Sequence, residues 1–151
     1  MAYDNAEWHY GGNYPDDLPP ENGGTHIGMF LAWAIQRGLA GELLLNEASA
    51  EIEAVKARRM TGRSFLFEVC DEKFWEDDLN AEGNEFAKVY YKTGIYINDY
   101  EEAINSNLPS LYHAEDSWEN FDQACKAIDL RFDRWKNNKS RPWWQFWRAR
   151  I

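Results

Sequence analysis

Between Thr25 and Arg37 the chain reads Thr-His-Ile-Gly-Met-Phe-Leu-Ala-Trp-Ala-Ile-Gln-Arg, and apolar residues hold nearly every position. Ile27, Phe30, Leu31 and Ala34 recur at helical spacing while Met29, Ala32, Trp33 and Ile35 fill the other faces, so a helix over 25–37 has almost no polar side and must be buried. Gly23-Gly24-Thr25 supplies a turn and an N-cap hydroxyl, and Gly38 suits the left-handed residue that ends a helix. The stretch is too short to cross a bilayer, which takes roughly 20 apolar residues, and reads as the central core helix of a soluble domain.

The other patterns are one-sided. Asn46 predicts an N-cap for a helix through Arg59, with Ala48, Ile52 and Val55 inward. Phe65, Leu66 and Val69 predict a third helix ending near Asp71, and Phe86, Val89 and Tyr90 a fourth from about Ala81 to Lys92, stopped by Gly94. Tyr96–Ile104 reads as a short helix or tight turn, and Asn105–His113 as loop. Trp118, Phe121, Cys125, Ile128, Phe132 and Trp135 advance in steps of three and four, one long seam opened by a capping-box-like Asp116 and Glu119. No stretch alternates with period two. The expected class is all-α, a compact single-domain bundle of about five helices around 25–37. Residues 1–24, rich in Gly and Pro, read as an irregular arm that anchors on the central helix through Trp8, Tyr10 and Tyr14. The domain is expected to occupy residues 1–136, and 137–151 a basic, Trp-rich tail.

Composition adds charge and rings. Eight Trp, eight Tyr and eight Phe predict a core built on ring contacts, and a net charge of -10 disfavours nucleic acid and anionic lipid and favours a basic partner. Cys70 and Cys125 lie far apart at neither redox nor metal-ligand spacing, which reads as reduced thiols and a cytoplasmic protein; the N-terminus has no signal-peptide pattern.

No catalytic motif stands out. His9, His26 and His113 are not at ligand spacing, so no metal and no cofactor are expected. His26, in the first turn of the buried helix beside Thr25, marks a possible pocket with His9 and Thr25, where free N–H groups can hold an anion. A small hydrolase or modifying enzyme built there would use His26 and His9 with Asp16 or Asp17, in a concave pocket between arm and helix. The other candidate is a surface: Glu72, Glu76, Asp77 and Asp78 flank Phe74 and Trp75, rings to desolvate and charges to speed encounter with a basic protein, and Asp99, Glu101 and Glu102 form a second patch.

Glu7-Trp-His-Tyr-Gly-Gly12, Gly23 to Trp33, Thr61-Gly-Arg63, Asp71-Glu-Lys73, Gly83-Asn-Glu-Phe-Ala87 and Asp116-Ser-Trp-Glu-Asn-Phe121 together resemble an uncharacterised family of small bacterial cytoplasmic proteins, over the chain up to about Lys136. Its members resemble immunity proteins, the acidic partners with which bacteria neutralise toxins delivered between cells. The resemblance implies a non-enzymatic protein that binds a cognate toxin or effector domain, and it transfers no catalytic residue; charge and helix length in turn lead us to expect no nucleic-acid partner and no membrane span. A regulatory adaptor would share the same surface.

Overall fold

The structure is a computed structural model that describes residues 1–104 and 107–140. Its N-terminal segment is not the irregular arm expected. Strand β1 (Ala2–Asn5) runs directly into helix α1 (Ala6–Tyr10), which Asn5 caps by accepting the Glu7 N–H at 2.9 Å. A 3-10 turn at Pro20–Gly24 then feeds α2 (Thr25–Gln36), whose residues are buried from Thr25 through Ile35. Gly38, at φ +75°, ends α2 as expected. Thr25 does not cap it: the N-cap is Gly24, and the Thr25 hydroxyl instead accepts from Arg63 Nη1 at 3.2 Å.

Two further helices follow where one was expected. The Leu43-Leu44-Leu45 run is itself helical, α3 (Glu42–Glu47), and α4 (Ser49–Lys56) starts after Ala48, so Asn46 caps nothing. Ala48, Ile52 and Val55 still face the core, because the apolar spacing sets burial wherever the helix begins. Thr61 caps α5 (Gly62–Glu68) through the Ser64 N–H. The acidic connection after it holds strand β2 (Lys73–Trp75) and a 3-10 turn at Glu76–Asp78. β2 pairs antiparallel with β1, Asp4 opposite Phe74 and Asn5 opposite Lys73. Strands of this length have too few residues to display a period, so the ribbon had no sequence signature.

The remaining elements are α6 (Ala81–Tyr90), α7 (Ile95–Ile104) and α8 (Trp118–Ser140). Asn80 caps α6, and Gly94 has φ +86°. Val89 points outward rather than inward. At the start of α8 it is Ser117 that accepts the Asn120 N–H, while Asp116 pairs with Arg63. The seam predicted along α8 is the one it buries, centred on Phe121, Ile128 and Phe132, and the helix continues to Ser140, past the expected boundary at 136. Residues 141–151, most of the Trp-rich tail, lie outside the described residues, as do Asn105 and Ser106 of the expected loop. The class is thus all-α, seven helices around α2 with one small ribbon, among the described residues.

Rings dominate the core. Phe30 lies 5.0–6.5 Å, centroid to centroid, from Trp33, Phe74, Phe86, Tyr90, Tyr91 and Tyr96. Trp33 extends the stack to Phe132 of α8 and donates its indole N–H to Asp129 at 2.8 Å. Of the three rings expected to anchor the N-terminal segment, Trp8 is 61% exposed, Tyr10 reaches Glu72, and Tyr14 packs on Tyr112. Cys70 and Cys125 are free; burial raises both thiols, Cys125 to about 12, which keeps them protonated and unreactive.

Candidate functional site

The chain carries two candidates, a cluster beneath the N-terminal segment and an acidic face around Trp75. The cluster begins with Asp4, the last inward residue of β1 before Asn5. One of its oxygens, Oδ1, accepts the Asn5 N–H at 2.8 Å and lies 2.8 Å from His9 Nε2; the other, Oδ2, accepts the Tyr91 hydroxyl at 2.6 Å. His9 comes in from α1, one turn further on, and its Nδ1 meets the Tyr112 hydroxyl at 2.7 Å. His26 comes from the first turn of α2, its ring 4.6 Å from that of His9 and edge-on to it. Its Nε2 is 3.5 Å from Asp4 Oδ2, longer than a normal hydrogen bond, and neither ring nitrogen has a hydrogen-bond partner. The Tyr100 hydroxyl, whose ring centre is 6.1 Å from that of His26, is equally unpartnered.

Sequence reasoning found two of these residues and missed the rest. His9 and His26 do meet, although their spacing in the chain gave no ligand pattern; the strand and helix start that bring them together could not be seen. Asp4 takes the place expected of Asp16 or Asp17, which sit in an exposed loop, Asp17 3.3 Å from His113. In a chain with 26 acidic residues a single Asp carries no signal. His26 does not open onto a pocket among the described residues: it is 0% exposed, and the 3-10 turn runs straight into α2 with Gly23 and Gly24 buried.

Burial opposes ionisation of Asp4, but the imidazoles of His26 and His9 outweigh it and hold the carboxyl well below the usual carboxylate range. Burial likewise lowers His26, against a smaller opposing pull from Asp4, so this imidazole is neutral at pH 7. Tyr91 is raised well above its ordinary value, by burial first and by Asp4 second.

The acidic face is smaller than the sequence suggested. Phe74 is no surface anchor: it is 0% exposed, packed on Tyr3, Phe30 and Tyr91, because alternation along β2 turns it inward and Trp75 outward. Asp78 is also buried, accepting the Trp75 N–H at 2.8 Å through Oδ2. Glu72 accepts from Tyr10 and has φ +68°. Asp99 is bound by both Nε and Nη2 of Arg131 and by the Tyr90 hydroxyl. Trp75, at 41% exposed, and Asp77 remain outward; Glu76 and Asp77 line a shallow depression with Glu42 and Leu43 of α3. Glu101 and Glu102 are exposed and line a separate cleft with Leu108 and Pro109.

Burial raises Asp78 to about 6 from 3.8, with the Trp75 N–H opposing and Asp77 adding to it. Between pH 4 and 6 the folded state therefore keeps a proton that the unfolded state has released, and stability falls as pH rises through this window. Asp78→Asn keeps an acceptor for Trp75 without the charge. It is expected to be more stable than the parent by about 1–3 kcal/mol at pH 7.5 and equal to it near pH 4, read from urea unfolding at both pH values. No gain at pH 7.5 would mean that water reaches this carboxylate.

Residues 2–114 match the family described as a domain of unknown function (DUF7832), and the chain belongs to that family. The match contains Asp4, His9, His26, Tyr91, Tyr112 and the face around Trp75, and it ends before α8. Comparison with curated proteins and with solved structures gives no match.

Proposed function

We propose that the protein is a binding protein of the immunity type, which neutralises a cognate toxin by covering a basic domain of it with the face around Trp75. One observation carries this reading: Trp75, 41% exposed, is followed directly by Glu76 and Asp77, which line a depression with Glu42 and the 48% exposed Leu43, and none of these three carboxylates forms an ion pair among the described residues. A half-exposed indole amid unspent carboxylates has what a central anchor and an encounter-steering rim need. A chain of net charge -10 adds long-range attraction for a basic partner. No helix among the described residues is long and apolar enough to cross a membrane. The hydrolase alternative has less in its favour, since Asp4 and His26 are sealed from any substrate and Asp16 and Asp17 lie elsewhere.

The test is co-expression with the toxin encoded beside its gene, together with calorimetry of the purified pair. The parent is expected to restore growth. Trp75→Ala should weaken binding by about 30-fold, the scale of an anchor worth roughly 2 kcal/mol, with an unchanged thermal midpoint. Asp77→Lys should slow association more than it speeds dissociation. Growth rescue by a Trp75→Ala, Asp77→Lys double variant equal to that of the parent would sink the interface, and no basic partner at all would sink the function.

A further inference from the structure

We propose that Asp4, His9 and His26 bind one divalent transition-metal ion of the zinc class, which ties the β1–α1 segment to the start of α2. One carboxylate oxygen and two imidazole nitrogens lie within 4.8 Å of one another, and Asp4 Oδ2 is 3.5 Å from His26 Nε2, close to the roughly 3.4 Å between two donors on one tetrahedral ion, so small side-chain shifts close the set on a single ion. The set joins three elements, β1, α1 and α2, which only the fold brings together. Nitrogen donors from two histidines select zinc, cobalt or nickel over calcium and magnesium, which take oxygen ligands.

The independent observation is His26. It is completely buried, yet neither of its ring nitrogens makes a hydrogen bond, a state that buried polar groups in folded proteins avoid. A latch made only of Asp4 and His9 accounts for their 2.8 Å contact but leaves His26 Nε2 3.5 Å from the carboxylate with no purpose there. A metal ion shared by Asp4 and both Nε2 atoms gives that nitrogen a partner.

The surroundings fit the same role. Metal-ligating histidines hold their second nitrogen by an outer hydrogen bond, and Tyr112 meets His9 Nδ1 at 2.7 Å. With Nε2 on the ion, the ring proton sits on Nδ1 and is donated to the Tyr112 oxygen. Tyr91 orients the carboxylate by donating to Asp4 Oδ2. Three protein donors leave one position of a tetrahedral ion to a water molecule enclosed with it.

The experiment uses the full chain, purified without a metal column, stripped with chelator and titrated with zinc by calorimetry. Expected are one zinc per chain, a thermal midpoint raised by several degrees at saturating zinc, and visible ligand-field bands of a nitrogen–oxygen site with cobalt. His9→Gln should lose stoichiometric uptake, while His113→Gln, which removes the separate histidine near Asp17, should bind as the parent does. If His9→Gln does not fold, imidazole nitrogen NMR of the parent decides: zinc should move the Nε2 signals of His9 and His26 and leave His113 in place. No stoichiometric uptake by the parent, uptake unchanged in His9→Gln, uptake lost in His113→Gln, or zinc shifts confined to His113 would each overturn the site.

Discussion

Gly28→Ala is expected to cost more than about 4 kcal/mol, enough to unfold much of a domain whose total stability is of order 5–15 kcal/mol. A methyl group at Gly28 would stand 2.3 Å from the Arg63 nitrogen and 2.5 Å from the Gly62 carbonyl carbon, both backbone atoms. Neither can turn aside as a side chain does. The contact is reciprocal, because a methyl group at Gly62 would fall 1.9 Å from the Gly28 carbonyl oxygen. Helices α2 and α5 therefore cross with their backbones touching, a closeness only two facing glycines permit. Relief would require separating the helices, and with them the rings of Phe30 and Trp33 from their neighbours. Circular dichroism and urea unfolding of the variant decide the point. A Gly28→Ala protein within about 1 kcal/mol of the parent would mean that the crossing has room to spare.

Phe30→Ala should follow closely, at about 3–5 kcal/mol, the range for truncating a buried phenylalanine. The ring is 1% exposed, and its six aromatic neighbours come from α2, β2, α6, α7 and the turn between the last two. All six neighbours are themselves fixed by contacts with one another, as Trp33 and Tyr90 are by Phe86 and Phe74 and Tyr96 by Tyr91, so they cannot collapse into the space left. A residual cavity adds to the lost transfer energy. Phe30→Leu, which leaves a smaller void, should cost clearly less. Urea midpoints with unchanged slope report the stability change, and near-ultraviolet circular dichroism reports the loss of ring order. Equal costs for the two variants would show that the loss is local to the ring edge rather than a cavity effect.

The Asp4 cluster and the acidic face differ in how far residue order reveals them. His26 was conspicuous as a polar residue in an apolar helix, and Trp75 as a ring amid acids. What each faces was not. Whether Phe74 or Trp75 points outward depends on the parity of a three-residue strand, which exists only because β1 arrives to pair with it. Asp78 and Asp99 look like their acidic neighbours in the chain, yet one holds the Trp75 N–H and the other is spent on Arg131.

Local pattern alone determined the helical class, the buried central helix, the inward faces of α4 and α8 and the glycine stop after α2, since side-chain period and backbone preference act over a few residues. The tertiary structure decided what depends on distant partners: the β1–β2 ribbon, the glycine crossing of α2 with α5, and the meeting of Asp4, His9 and His26. Those contacts join residues whose separation along the chain carries no period, and the packing of other elements around buried α2 is what brings them together.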